Sequence, residues 1–237
     1  MFYSRDSLSR WDSPEMTAVD FAGFVNELAD ASGDAIRRFF RTCLSIENKH
    51  RGQGLYRFTA ADRNAAQQAK ERTVFHMARV FGVRHLNAGL LQKLPLDVVG
   101  EEFAALCERA GTDLTVALEF MPYSGVPDLA TAWRIVQGIP NAGLIIDGWH
   151  WARAGQQVAD LLDVPAERIV SVQLCDVRAE PMEPLRAESL GHRLPPGKGY
   201  GDTVGLVRGL TKRGVTPAVM AVEVICDELV ARGVDIA

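Results

Sequence analysis

Apolar residues recur along most of this chain with the short periods that strands and helices produce. Between residues 83 and 224, almost wholly apolar runs such as VALEF, LIID and VSVQL alternate with longer segments of helical spacing. The pattern predicts strands at 83–87, 114–120, 143–147, 169–174 and 218–224, with helices at 98–110, 129–137, 158–162 and 203–213. Strands that alternate with helices form parallel sheets, and strands buried on both faces have continuous apolar sequences. We therefore predict a parallel α/β fold.

The N-terminal part of the chain has a different pattern. Residues 17–45 and 60–81 carry apolar positions at spacings of three and four and predict helices, the second of which ends at Gly82. Between them, residues 45–59 include the polar sequence ENKHRGQG, which has no period and predicts a loop. We accordingly divide the chain into a helical N-terminal segment, 1–66, and an α/β part, 67–237.

Composition and charge narrow the class of protein. An apolar fraction of 47% and a charged fraction of 24% are typical of a folded soluble domain. The net charge of −4 gives no general attraction to nucleic acid or to anionic membranes, so we expect a small-molecule substrate instead. The opening sequence MFYSRDSLSRWDSPEM lacks the apolar stretch of a secretory signal, which favours a cytoplasmic protein.

Four of the predicted strands carry a potential metal ligand at or near the carboxyl end: Glu119, Asp147, Gln173 and Glu223. Because the carboxyl ends of parallel strands open onto one face, we expect these oxygen donors to converge. Crowded carboxylates repel one another unless a cation offsets the repulsion, and Mg²⁺ or Mn²⁺ suits three carboxylates and an amide. Asp176 competes with Gln173 for the third position, and we prefer Gln173. The residues after Glu119 (FMP) and Asp147 (GWH) indicate that neither is a simple helix cap.

The motifs around these residues resemble the xylose-isomerase-like sugar phosphate isomerase/epimerase family. The resemblance rests on VALEF, LIIDGWH, VQLCD, AVEV and the segment HRLPPGKGYGD at 192–202, and it covers residues 72–230. It implies a TIM barrel with a divalent metal ion at its mouth. The resemblance further implies roles for individual residues: Glu119, Asp147, Gln173 and Glu223 as metal ligands, Glu119 and Glu223 also as the acid/base pair, and His150 and Arg193 as groups that hold substrate oxygens.

Three cationic or titratable side chains are candidates for binding the substrate. Arg193 and Lys198 lie in a loop rich in proline and glycine, whose turns can present them to a phosphate or carboxylate, although an ordinary surface loop has the same composition. His150, between Trp149 and Trp151, is interpreted as a substrate-binding residue or a further metal ligand. The alternative for His150 is a loop residue that only packs.

These features predict a metal-dependent isomerase or epimerase that acts on a sugar, sugar phosphate or polyol-like carbonyl compound. We favour Mn²⁺ or Mg²⁺ as the cofactor, and Zn²⁺ or Co²⁺ is also compatible. One glutamate abstracts the proton next to the carbonyl group and the other returns it. Many epimerases of the family have histidine where this chain has Gln173, and glutamine is similar to what its metal-dependent dehydratases use. A dehydratase of the dehydroshikimate or inosose type therefore remains the alternative.

The resemblance also implies that the barrel is incomplete. It makes 83–87 the fourth strand and the four later runs the fifth to eighth, so three earlier strands are not visible in the sequence. We thus predict an incomplete, TIM-barrel-like parallel barrel, whose open edge would pair with a second copy in a homodimer. A non-catalytic barrel fragment is the second interpretation.

The N-terminal segment has a resemblance of its own. Residues 16–66, with ELADASGDAIRRFFRT, SIENK and TAADR, resemble the start of histidinol-phosphatases of the inositol-monophosphatase type. The acidic metal-binding motifs of that family do not follow downstream, so we expect no phosphatase chemistry.

Overall fold

The sheet of the protein is built from parallel strands that lie side by side in chain order. The computed structural model describes Tyr56–Arg57 and residues 65–231. Within this part of the chain the strands are β1 (Tyr56–Arg57), β2 (His85–Gly89), β3 (Thr115–Glu119), β4 (Ala142–Asp147), β5 (Ile169–Leu174) and β6 (Val219–Val222). Each strand pairs in parallel with the next one. The predicted parallel α/β fold is confirmed, and an incomplete barrel fits this arrangement.

Helices connect most of the strands. They are α1 (Ala65–Phe81), α2 (Leu96–Ala110), α3 (Leu129–Val136), α4 (Gly148–Arg153), α5 (Leu185–Gly191), α6 (Thr203–Lys212) and α7 (Asp227–Ala231). Two 3₁₀ helices, Val158–Asp163 and Ala166–Arg168, precede β5, and the first of them replaces the helix predicted at 158–162. No helix in the described residues is long and apolar enough to span a membrane.

The interior strands of the sheet are apolar because both of their faces are covered. All six residues of β4 are buried. Leu144 and Ile146 belong to the main core, together with Val99 and Phe103 of α2. Since side chains alternate along a strand, Ile145 and Asp147 lie on the opposite face of the sheet. That second face is where the polar strand-end residues gather.

Several boundaries differ from the sequence predictions. The strand Tyr56–Arg57 lies inside the stretch 45–59 that we predicted as a loop, and it pairs with Ala88 and Gly89 of β2. Two residues are too few to show an alternating pattern, so this strand left no signal in the sequence. The predicted strand at 218–224 is shorter, because β6 ends at Val222.

The helix predicted at 17–45 and residues 60–64 of the second predicted helix lie outside the described residues. The domain boundary between residues 66 and 67 falls in the first turn of α1. The division into a helical segment and a barrel stays a prediction.

Candidate metal centre

Strand register brings the predicted ligands to one face of the sheet. Asp147 pairs with Gln173, and Gln173 pairs with Ala221 of β6. Glu119 pairs with Ile145, which precedes Asp147 by two residues on the same face. Glu223 follows β6 directly, and its backbone N–H donates to the Leu174 carbonyl over 3.0 Å, which continues the pairing by one residue. The four side chains thus start from neighbouring positions at the carboxyl ends of four strands.

Three buried side chains form a compact group at this face. One ligand atom each of Glu119, Asp147 and His150 lies within 4.8 Å of the other two. His150 Nε2 is 3.7 Å from Glu119 Oε1. Two carboxylates and an imidazole in such close proximity, away from water, are a donor set that a divalent cation can bind. Glu223 lies outside this group of three.

Asp147 is held by two partners, one for each oxygen. Its Oδ1 accepts a hydrogen bond from the His150 backbone N–H over 2.9 Å, and its Oδ2 accepts one from Arg193 Nη1 over 2.7 Å. The first bond caps α4, so the interpretation that Asp147 is no helix cap was wrong. The residues GWHWAR form a helix too short to be recognised by its period. The cap also places His150, three residues later, beside the carboxylates.

Arg193 lies between two of the predicted ligands. Its Nη1 is 4.0 Å from Glu223 Oε2 in addition to its bond with Asp147. Its Nε donates to the Ser189 carbonyl over 2.8 Å, and its backbone N–H donates to the Ile225 carbonyl over 2.9 Å. The guanidinium is therefore fixed on both sides, and only 5% of the side chain is exposed.

The buried groups set one another's charge. Burial would raise the pKa of Asp147, but the Arg193 guanidinium and the hydrogen bonds from Arg193 and from His150 outweigh it and hold this pKa below its usual value. Burial lowers the pKa of His150 to about 4, with Arg193 adding to the effect and Asp147 opposing it. For Arg193, burial is outweighed by Asp147 and other acidic neighbours, which raise its pKa. At neutral pH the site thus holds an ionised Asp147, a neutral imidazole and a permanent cation.

Gln173 and Asp176 differ in how their oxygens are used. Gln173 Oε1 is buried and has no hydrogen-bond partner in the described part of the chain. Asp176 Oδ1 accepts from the backbone N–H groups of Val177 and Gly201, and Oδ2 accepts from that of Gly197. Asp176 therefore anchors the loop at 192–202, whereas Gln173 has an acceptor to spare. A buried amide oxygen without a partner is costly, and a cation would satisfy it.

Close approach of the loop to Asp176 requires glycine. A side chain at Gly199 would meet the Val177 carbonyl at 2.2 Å, and Gly197 has a positive φ of 74°. Lys198 lies between these two glycines and is exposed. In the described residues its side chain has no contact with the carboxylate group, so its predicted role in substrate binding stays a prediction.

Aromatic and hydroxyl groups border the site. The Tyr123 ring contacts the edge of the His150 ring at a centroid distance of 5.7 Å, and its hydroxyl is 3.0 Å from Ser189 Oγ. Burial raises the pKa of Tyr123, and the hydrogen bond with Ser189 opposes this effect only in part. The phenol therefore stays protonated. Cys175 Sγ lies 3.7 Å from Arg193 Nη1, and burial raises its pKa to about 12, which keeps the thiol unreactive.

A second buried polar cluster, which the sequence analysis missed, connects α4 with α5. Glu188 is fully buried and accepts hydrogen bonds from Arg153 Nε over 3.0 Å, from Trp149 Nε1 over 3.3 Å and from the Met182 backbone N–H over 2.8 Å. Arg153 and Glu188 are 35 residues apart, so no local pattern connects them. The cluster joins the helix that carries His150 to the helix that supplies Ser189.

The residues at this face fit a divalent cation. They offer two buried carboxylates, a neutral imidazole and an amide oxygen without a partner. Oxygen donors suit Mg²⁺ and Mn²⁺, and the addition of imidazole also suits Zn²⁺. Fold and site together define the protein as an incomplete parallel α/β barrel with a candidate metal centre at the carboxyl ends of its strands.

Comparison with known proteins gives the family. The family model for the xylose isomerase-like TIM barrel matches residues 18–236, and the chain belongs to this family. The match is longer than the range 72–230 on which the resemblance was based. The resemblance of residues 16–66 to histidinol-phosphatases stays a prediction. No curated protein matches the chain.

Solved structures of the same architecture agree with this assignment. The chain is similar to an IolI protein with a bound zinc atom, with 22% identity and a TM-score of 0.61 over 73% of this chain and 66% of that one. It is also similar to the probable 3-DHS dehydratase AsbF from Bacillus anthracis, with 13% identity and a TM-score of 0.60 over 71% of this chain and 68% of that one. A third similar structure is that of a D-allulose 3-epimerase from Methylomonas sp., with 16% identity and a TM-score of 0.52 over 72% of this chain and 62% of that one. This chain spans less than two thirds of the length of the IolI protein and of the epimerase. At sequence identities this low, the similarity concerns the fold alone.

Proposed function

We propose that the protein is a divalent-metal-dependent isomerase or epimerase that moves a proton on a sugar, sugar phosphate or polyol-like carbonyl compound. The observation that carries the proposal is the buried group of Glu119, Asp147 and His150, next to a Gln173 oxygen that has no partner in the described residues. Buried acidic groups in such proximity are unfavourable in a purely structural role, because each carboxylate loses its hydration.

In this proposal Glu119, Asp147, Gln173 and Glu223 hold the ion. His150 is the competing fourth ligand, because its ligand atom lies within the compact group and that of Glu223 does not. The ion, Mn²⁺ or Mg²⁺ with Zn²⁺ and Co²⁺ as alternatives, would supply positive charge that polarises a substrate carbonyl. Asp147 is already ionised and oriented by two hydrogen bonds, so it needs no rearrangement to act as a ligand.

The two glutamates are proposed to transfer the proton. Glu119 is buried beside His150, whereas the Glu223 side chain is 19% exposed and lies near Arg193. A partly exposed glutamate can exchange its proton with water, which lets isotope from the solvent reach the substrate. Arg193, His150 and Tyr123 border the same space and are proposed to orient substrate oxygens.

The choice between epimerase and dehydratase depends on what leaves the substrate after the proton. Return of a proton to the same carbon from the other side gives an epimer, whereas loss of a neighbouring hydroxyl gives dehydration. Both activities occur in the names of similar structures. Gln173 is the residue that favours the dehydratase alternative, since the resemblance connects glutamine at this position with dehydratases.

Proton exchange with solvent tests the proposal on several classes of carbonyl compound at once. The Mn²⁺-loaded protein is incubated in D₂O with ketoses, ketose phosphates, an inosose and dehydroshikimate, and products are analysed by NMR and mass spectrometry. We expect deuterium next to the carbonyl group of at least one compound, and loss of this exchange in Glu119→Gln and Glu223→Gln. Glu228→Gln, on the exposed surface, is the matched control and should retain it. Absence of exchange with every compound contradicts the proposal, and loss of water from a compound identifies the dehydratase.

A further inference from the structure

We infer that Arg193 is the resident counter-cation of the carboxylate group: it stabilises the metal-free protein and, for the same reason, weakens the binding of the divalent ion. The part of this inference that concerns the ion rests on the function proposed above. The part that concerns stability does not, because it depends only on contacts within the chain.

The contacts of Arg193 are those of a fixed structural charge. Its Nη1 donates to Asp147 Oδ2 over 2.7 Å, while its Nε is bound to the Ser189 carbonyl and its backbone N–H to the Ile225 carbonyl. The side chain is almost wholly buried, so the guanidinium cannot turn to solvent when another cation arrives. It must share Asp147 with the ion.

Sharing Asp147 is stereochemically feasible. A carboxylate has about four lone-pair sites, and the His150 N–H and Arg193 take one on each oxygen. A cation can therefore bind to Asp147 without breaking either hydrogen bond. The guanidinium then lies next to the ligand sphere of a second positive charge, and the two cations repel each other at short range.

The guanidinium of Arg193 and the divalent ion are inferred to compensate the same carboxylates. Arg193 Nη1 lies 2.7 Å from Asp147 Oδ2 and 4.0 Å from Glu223 Oε2, so one guanidinium faces two carboxylates of the group. Without Arg193 the group would repel itself more strongly when no ion is bound, and would attract the ion more strongly.

The experiment compares Arg193→Gln, which removes the charge and keeps an N–H donor, with Arg193→Lys, which keeps the charge. Thermal unfolding is measured in EDTA and in saturating MnCl₂, and the Kd for Mn²⁺ is measured by the EPR signal of the free ion. Arg178→Gln, in an exposed ion pair, is the control. We expect Arg193→Gln to lower the melting temperature in EDTA by roughly 5–10 °C. We expect it to bind Mn²⁺ about tenfold more tightly than wild type, while Arg193→Lys and the control bind within about threefold of wild type.

The outcomes separate this inference from the proposed function. If wild type does not bind Mn²⁺ in a saturable way, the proposed function fails, and the melting temperature of Arg193→Gln in EDTA still decides the stabilising role. If wild type binds the ion but Arg193→Gln binds it equally or more weakly, the inference is overturned and the proposed function stands. If the inference is correct, Mn²⁺ should replace the charge lost in Arg193→Gln. A variant that folds only with Mn²⁺ therefore supports the inference, and a variant that stays unfolded in Mn²⁺ overturns it.

Discussion

Strands β4 and β6 carry carboxylates at the same end of one sheet, but in different surroundings. All six residues of β4 are buried, and its Asp147 has a partner on each oxygen. All four residues of β6 are exposed, and Glu223 beyond it is partly exposed and lies outside the compact group. The runs that lead to these carboxylates, LIID at 144–147 and VMAVE at 219–223, are nevertheless both apolar up to the acidic residue.

The difference arises from neighbours rather than from the strands themselves. β4 has a paired strand on each side and helices against one face, whereas β6 pairs only with β5 in the described part of the chain. An apolar strand is buried only if other elements cover it. The interior of the sheet therefore provides fixed charges, and its edge provides a carboxylate that solvent can reach.

Ion pairs should show the largest contrast between the two regions. Arg153–Glu188 is almost fully buried, whereas the ion pair of Arg178 with Glu228 of α7 has side chains that are 31% and 54% exposed. We expect Arg153→Met to lower the free energy of unfolding by about 3–5 kcal/mol, because Glu188 would remain buried without its cation. The matched Arg178→Met should cost less than about 1 kcal/mol. Urea unfolding measures both, and equal effects would contradict the contrast.

Truncation of apolar side chains should give the next largest difference. Leu144 of β4 is fully buried in the main core, whereas Val222 of β6 is 65% exposed. Leu144→Ala should lower the free energy of unfolding by about 3 kcal/mol, since it leaves a cavity, and Val222→Ala should change it by less than about 0.5 kcal/mol. A large loss for Val222→Ala would indicate that β6 is covered in solution.

The pH dependence of stability should reveal the buried imidazole of the interior region. In metal-free protein the pKa of His150 is about 4, below the ordinary value of 6.5. Between these values the unfolded chain binds a proton that the folded chain does not, so the free energy of unfolding decreases as the pH falls from 6.5 towards 4. The loss should amount to about 3 kcal/mol.

Urea unfolding in EDTA at pH 7.5, 5.5 and 4.5 measures this effect. The range stays above the usual pKa of aspartate, so Asp147 remains ionised throughout. His150→Gln removes the titrating group and should show a weaker pH dependence. An unchanged slope in this variant would assign the effect to other groups.

Substitutions in β6, at the edge of the sheet, should have the smallest effect on stability. They should instead change the oligomeric state. Val219, Met220 and Val222 are exposed, apolar and uncharged, which suits pairing of β6 with β6 of a second copy. We expect wild type to form a dimer as its concentration rises and Val222→Lys to stay monomeric in light scattering after size exclusion. Val204→Lys, at an exposed position of α6, is the control. A wild type that is monomeric at every concentration would refute this prediction.

The sequence predicted the interior of the fold better than its edges and connections. β5 was predicted at its observed bounds and β4 to within one residue, because strands covered on both faces need continuous apolar runs. β1, α4 and α5 were missed, since two to seven residues do not display a period.

Prediction of the site had a similar limit. The positions of Glu119, Asp147, Gln173 and Glu223 at the carboxyl ends of predicted parallel strands, together with the family resemblance, were sufficient to select them for one face. The position of Arg193 against Asp147 and that of Glu188 against Arg153 depend on contacts between distant segments. Spacing along the sequence does not predict contacts between distant segments. That Gln173 Oε1 has no hydrogen-bond partner in the described residues can be seen only in the folded structure.

The most direct test of the metal centre is an anomalous difference map from crystals grown with Mn²⁺. We expect one strong peak at about 2.0–2.6 Å from oxygens of Glu119, Asp147 and Gln173, with either Glu223 or His150 as the fourth ligand. A map without a peak at these residues, in crystals saturated with the ion, would contradict the claim that they form a metal centre.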